Sequence, residues 1–442
     1  MTDAPLDVVD RRIADADALG VLALRELQSG GATHVNLEAT RPVSTLSALR
    51  ELDERARREP LAKALAAWVQ KLTLRRVLYA DVARLERAWR ADVLIDDALE
   101  PPRFSARFAF GRVLACAEPS LQGRWARALV AGARGSSEAA RLLGERQVEA
   151  AQRLGLDGLD ALLPCVAPAA VDRAAELVLS RTAALAPVGT SWEIALDGAL
   201  AREADRGWPA HLSPAWAQGL VRGTGLTDGL ALDLGLMPRP LGATSFARVL
   251  AKLGDAFARA SAPRSAPFAL AERPFDLRRA RRAALFGSLV ADPVFGHRAL
   301  GLGRARARDQ ARQVARALVV TLRLDAARVL ARGMYERAAR DRQSLWESLT
   351  AQALGTPTPA ALLGVVPRLS LDDGVRFMGM VLGMSDRRAL IEHHDEDWFR
   401  SPHAAHALRE EQATLPASPN ATEEALVRGV EDLAGALEAL EL

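Results

Sequence analysis

Cysteine, lysine and tyrosine are almost missing from this chain of 442 residues, and each shortage excludes something. Two cysteines, Cys116 and Cys165, cannot build a disulfide framework and form no C-x-x-C. They read as free thiols in a reducing cytoplasm, and the N-terminus reads as a helical lead-in, not a signal peptide. Cys116 sits in an apolar helix and Cys165 beside prolines, so packing explains both better than nucleophilic chemistry does. Tyr79 and Tyr335 are the only tyrosines, and aromatics total 5%, so the core must come from Leu, Val and Ala. That mixture favours helix over strand. Lysine is confined to Lys63, Lys71 and Lys252; 58 basic residues less these three leaves 55 arginines, a bias expected of GC-rich coding. Acids interleave with them to a net charge of +3, too balanced for a chain that concentrates charge on nucleic acid. No uncharged apolar run reaches about 18 residues, the length a membrane helix needs. The most apolar stretch, 314–331, holds Arg316, Arg323, Asp325 and Arg328, which excludes a span. Gly-x-Ser-x-Gly does not occur, His211 and His297 stand alone, and Gly223-x-Gly225-x-x-x-Gly229 lacks the strand and third glycine of a dinucleotide fingerprint. No cofactor is expected.

What is present is helical periodicity with clear punctuation. The segment Phe275–Arg340 organises the chain. It opens on Arg278, Arg279, Arg281 and Arg282, breaks at Asp292-Pro293 and Gly301–Gly303, and continues as a helix of roughly eight turns. There Val314, Leu318, Leu322 and Val329 share one side, while Arg304, Arg308, Arg312 and Arg316 repeat every fourth residue on another. Upstream, the pattern predicts helices over 8–27, from Ser44 or Thr45 to 58, from Pro60 through Trp89, and over 104–117, 122–133, 137–154, 171–185, 190–203 and 244–260. His34–Leu37 is the only early candidate for extended chain. Downstream, Gly355 ends one helix and Thr358-Pro359 starts another. Ser370 with Asp373 resembles a capping box, Ser385 and Ser401-Pro402 open two more helices, and Pro416–Asn420 is a linker. The final helix carries a seam of Leu426, Val430, Leu433, Leu437 and Leu440 that must dock on the body. Proline at 164 and 168 marks the best boundary. The expected organisation is therefore an N-terminal helical lobe over 1–165, a C-terminal helical lobe over 166–415, and a linker with docking helix over 416–442.

Two constellations carry possible chemistry. His393, His394, His403 and His406 fall within fourteen residues, with acids between them, and the last two have metal-ligand spacing on a helix. A solvated helix joint explains the same pattern, with Trp398-Phe399 pinning it to the core. The arginine stripe, together with Arg278, Arg279 and Arg282, suits an anionic partner, whereas pairing with acids of neighbouring helices is the plainer account.

Leu322–Leu330, the helices after Gly355, the Asp395-Glu396-Asp397-Trp398-Phe399-Arg400-Ser401-Pro402 segment, and the stretch from Gly144-Glu145-Arg146 to Asp157 are similar to the helices of M3-type, oligoendopeptidase F-like metallopeptidases. The likeness is one of pattern and order over roughly residues 120–415. It implies an all-α, two-lobed, clam-like body around a deep channel. It also implies a His-Glu-x-x-His zinc site, which this chain lacks. In the nearest local context, Arg278-Arg279-x-x-Arg282, the ligand positions hold guanidiniums, which have no lone pair for a metal. The expectation is a non-catalytic protein that binds a polypeptide or acidic partner through Arg278, Arg279, Arg282, Arg304, Arg308 and Arg312. The alternatives are a metal-dependent hydrolase using His393, His394, His403 and His406, and a nucleic-acid binder using the arginine stripes.

Overall fold

The computed structural model describes residues 4–30, 35–95, 99–165, 167, 169–187, 189–204, 208, 211–221, 226, 230, 232–235, 237–238, 240–337, 340–414 and 421–442. Among these residues eighteen α-helices and one pair of short strands form, so the fold is all-α, in line with the composition. His34, part of the glycine-rich 223–242 stretch and the expected Pro416–Asn420 linker lie outside the described residues.

Local chemistry sets the boundaries. α1 (Leu6–Ser29) stops at Gly30, which takes a left-handed φ of 86°. Thr45 caps α2 (Leu46–Ala56), and Pro60 starts α3 (Pro60–Arg90) in its first turn. The strands β1 (Asp92–Ile95) and β2 (Arg103–Ser105) pair antiparallel and lead into α4 (Ala106–Ala115). Then come α5 (Pro119–Gly132), α6 (Arg134–Arg153), α7 (Ala169–Arg181), α8 (Trp192–Gly198) and α9 (Pro214–Leu220), the last capped by Ser213. The organising stretch spans α10 (Thr244–Ala260), α11 (Phe268–Ala271), α12 (Leu277–Ser288), α13 (Pro293–Arg298) and α14 (Arg304–Glu336). α15 (Arg342–Leu354) ends at Gly355, with φ 72°. α16 (Asp373–His394), α17 (Pro402–Ala413) and α18 (Glu423–Ala439) complete the order.

Three expected helices differ, each for an identifiable reason. The helix predicted over 190–203 shrinks to α8, and beyond it Ala201 adopts φ 50°, incompatible with continuation. Thr358-Pro359 starts only a single 3-10 turn, Ala360–Leu362. The amides there are satisfied from α15: Thr358 N donates to Thr350 Oγ1 at 2.9 Å, and Ala360 N to Glu347 Oε1 at 3.1 Å. Ser385 opens no helix. It lies inside α16, and its hydroxyl donates to Asp432 Oδ2 on α18 at 2.6 Å. By contrast, Asp373 does reach back to the Ser370 amide, at 2.7 Å, as the capping-box pattern required.

Core burial extends from Leu6 on α1 through Trp68 on α3 and Val320 on α14 to Leu437 on α18 in one connected cluster. A second cluster is richer in aromatics: Phe286 meets Trp398 at 6.2 Å and Phe295 meets Phe399 at 5.2 Å, so the Trp398-Phe399 pair does pin its joint. α12 is clamped between α10 and α16. The close approach depends on two glycines. A β-carbon on Gly254 would lie 2.2 Å from the Arg282 carbonyl oxygen, and one on Gly379 would lie 2.5 Å from the Ala280 β-carbon.

α14 departs from the simple two-faced helix. Its first turns carry exposed arginines, but farther on Arg323, Asp325 and Arg332 are buried along with the aliphatic residues. Arg323 is 2% exposed and has no carboxylate partner among the described residues. Its guanidinium donates to the carbonyls of Ala353 (3.0 Å), Leu179 (2.8 Å) and Gln352, and to Thr182 Oγ1 (2.6 Å). Those carbonyls are the unsatisfied last-turn acceptors of α7 and α15, so one cation caps two helix C-termini.

Candidate functional site

Nine helices among the described residues, α1, α3, α10, α11, α12, α13, α14, α16 and α18, border a cleft of about 1750 Å³. Its walls are apolar in part: Trp68, Phe268, Leu322, Met380 and Leu437 face it, and the two unbranched methionines Met380 and Met384 give that surface some adaptability. Its charge is one-sided. Thirteen arginine and lysine residues line it against eight aspartates and glutamates. The cleft thus holds a surplus of five positive charges, in a chain whose total is +3.

Part of this charge is neutralised within the wall. Arg75 meets Asp17 at 2.9 Å, Arg387 meets Asp292 at 2.7 Å, and Arg279 spans Asp255 (2.8 Å) and Glu272 (2.6 Å). Burial lifts the Glu272 carboxyl above the usual glutamate range. Lys71 donates to the Pro274 carbonyl between the rings of Trp68 and Phe275, 5.2 and 5.3 Å away. Burial lowers its ammonium below the usual lysine range, partly offset by Asp372.

Other cations are not neutralised. Among the described residues, Arg25, Arg248, Arg273, Arg298 and Arg304 have no carboxylate partner, yet all five line the cleft. Burial, reinforced by Arg278, depresses the Arg273 guanidinium. Arg248 is depressed by burial and then by Arg376, and burial with the same neighbour pushes Arg328 down to about 10.

The sequence-derived site residues separate. Arg279, Arg304 and Arg308 line the cleft, whereas Arg278, Arg282 and Arg312 are not on its wall. Arg282 is 1% exposed and bonds Asp386 (3.1 Å) and Glu411; Arg278 lies 3.8 Å from Asp276 and donates to the Thr414 carbonyl. Adjacent Arg281 also binds Asp386, at 3.0 Å. Arg312 is turned to Glu441 and the Leu440 carbonyl, and Arg308 meets Glu441 at 3.5 Å. The plainer account of the stripe, pairing with acids of a neighbouring helix end, therefore holds for Arg308 and Arg312.

The histidines are not drawn into a ligand set. His393 Nδ1 sits 2.7 Å from the Ala389 carbonyl, His406 Nε2 sits 3.2 Å from Glu410, His403 is exposed, and His394 stands beside His393 at 6.5 Å between ring centres. Among the described residues no three His, Cys, Asp or Glu are grouped to hold a metal ion. No helix among them is long and apolar enough to cross a membrane.

Sequence reasoning missed Lys71, Arg248, Arg273 and Arg376. A signal existed for one: Arg248 interrupts the otherwise apolar sequence Phe246–Ala251 of a strongly amphipathic helix. The others become neighbours only through packing between distant helices. No family model matches the chain, and no curated protein matches it in sequence.

Proposed function

We propose that the chain is a non-catalytic binding protein, on a body like that of the M3-type metallopeptidases, that takes an acidic polypeptide segment into the cleft. The observation that carries this reading is the charge imbalance of the cleft, and above all the five lining arginines without carboxylate partners. A cavity of about 1750 Å³ exceeds what a small metabolite fills, and its mixed apolar and cationic lining suits a peptide with both kinds of side chain. Guanidiniums give carboxylates bidentate partners, and a low-dielectric wall strengthens the pairing. Arg278, Arg279 and Arg282, which stand where the resemblance would put zinc ligands, are spent on acids of this chain. That favours a site without metal and moves the guest-binding role to other arginines.

Isothermal titration with a hexaglutamate peptide, and with hexalysine as control, tests the reading. Hexaglutamate should bind with an affinity that falls as salt rises, hexalysine should not bind, and mass spectrometry should recover the peptide intact with or without added zinc. Absence of hexaglutamate binding at low salt would overturn the proposal. Zinc-dependent cleavage would overturn its non-catalytic part.

A further inference from the structure

Three helices bring their arginines together at one point of the cleft wall. Arg248 comes from α10, Arg328 from α14 and Arg376 from α16, and all three line the cavity. Two buried acids stand behind them, Asp325 and Asp373, each 1% exposed. Arg376 Nη2 donates to Asp373 Oδ1 at 2.6 Å and to Asp325 Oδ1 at 3.2 Å. Arg328 contacts Asp325 and lies 3.7 Å from Asp373. The second oxygen of Asp373 is already taken by the Ser370 amide.

The cluster is unfinished in two respects. Its charge does not close: three guanidiniums face two carboxylates, which leaves one positive charge. Nearby Asp372 does not remove it, because Lys71 faces that acid. Its donors do not close either. Arg328 Nε is buried without a hydrogen-bond partner, while Arg248, exposed to the cleft, has no partner among the described residues. A buried donor is nearly always satisfied, so an acceptor is called for at Arg328 Nε. One negative charge would complete the balance. A doubly charged phosphoryl group would overshoot it. Leu322 and Val375, beside the charged residues on the same two helices, offer apolar surface for a side-chain stem.

We infer that Arg248, Arg328 and Arg376 form a subsite for a single carboxylate, through which the cleft grips an aspartate or glutamate side chain of its guest. This rests on the acidic-peptide reading above and names the group that the cleft selects. Arg248 is the residue to perturb, because it holds no internal partner and its loss should leave the fold intact.

The experiment titrates hexaglutamate into the full chain and into Arg248→Ala and Arg248→Lys. Acetate and inorganic phosphate, at matched ionic strength, serve as competitors. Arg248→Ala should weaken binding on the order of tenfold or more, the usual effect of losing a hydrogen bond between charged groups. Arg248→Lys should restore only part, since the planar fork is lost. Acetate should compete with the peptide in the parent and not in Arg248→Ala, which identifies the subsite as a carboxylate site whether the carboxylate is free or on a peptide. If the parent binds hexaglutamate and Arg248→Ala binds it equally well, the subsite is wrong while the cleft reading survives. If phosphate competes more strongly than acetate, the carboxylate assignment is wrong. If the parent binds no hexaglutamate, both readings fall. Matching thermal melts of parent and variants show that the comparison concerns binding.

Discussion

Replacing Arg323 with leucine tests whether a single buried cation holds two helix ends. The substitution removes four hydrogen bonds and strands the carbonyls of Leu179, Gln352 and Ala353, while the Thr182 hydroxyl keeps its bond to the Val178 carbonyl. Each stranded acceptor costs about 1–3 kcal/mol when no water replaces the donor. The lost charge–dipole attraction at the ends of α7 and α15 adds about 0.3–2 kcal/mol for each helix. Against this, the variant no longer keeps a charge out of water, and that desolvation penalty is worth several kcal/mol. Burial already draws the Arg323 guanidinium below its ordinary range, the signature of that penalty. The balance is a loss of about 3–5 kcal/mol, the upper part of the range for point mutants. Urea unfolding followed by circular dichroism would measure it, with Arg323→Lys expected between parent and leucine variant. A loss below about 1 kcal/mol, or a gain, would refute the reasoning, because buried arginine clusters can be outperformed by apolar packing.

Two further outcomes follow from other parts of the fold. Leu433 is 7% exposed on α18, so Leu433→Asp should cost a few kcal/mol, as expected for an unpaired buried charge; a change under about half a kcal/mol would mean that α18 is not held by its apolar seam. The Asp172 carboxyl is pushed up to about 6, first by burial and then by Asp160. The folded state therefore holds that proton more tightly than the unfolded one, and stability from this group falls as pH rises from about 4 to about 6. Asp172→Asn should relieve the penalty above pH 6 by about 1 kcal/mol, once solvent at the half-buried carboxyl is allowed for, and do little at pH 4. Thermal melts at both pH values measure this, and an equal effect at each would contradict the assignment.

The elements were legible where the signal is local. Thr45 and Ser401 cap helices with their hydroxyls as the pattern predicts, and Gly355 terminates α15. Where a serine or threonine had a distant partner, the local signal misled, as with Ser385 and Asp432. The site was legible only in outline. Arg304 and Arg308 were visible as a stripe, but the sequence spacing that put Arg312 beside them could not reveal Glu441. Nor could the neighbours of Arg278 and Arg282 show that these side chains were already committed to Asp276, Asp386 and Glu411. Arg248, Arg328 and Arg376 meet only because α10, α14 and α16 converge, a fact that depends on packing and not on periodicity.

The docking of α18 has a consequence for how the chain is made. Its seam covers α7 and α16, Ala421 N donates to the Pro164 carbonyl at 2.8 Å, and Arg173 grips Glu423 at 2.7 Å across 250 positions of chain. At synthesis rates of about 5–20 residues per second, α7 leaves the ribosome roughly 12–50 s before the helix that covers it exists. Through that interval the apolar side chains on that surface of α7 have no partner. Newly made protein should therefore depend on chaperones late in translation, and a ribosome stalled before α18 should release an aggregation-prone chain even though most of the helices are already present.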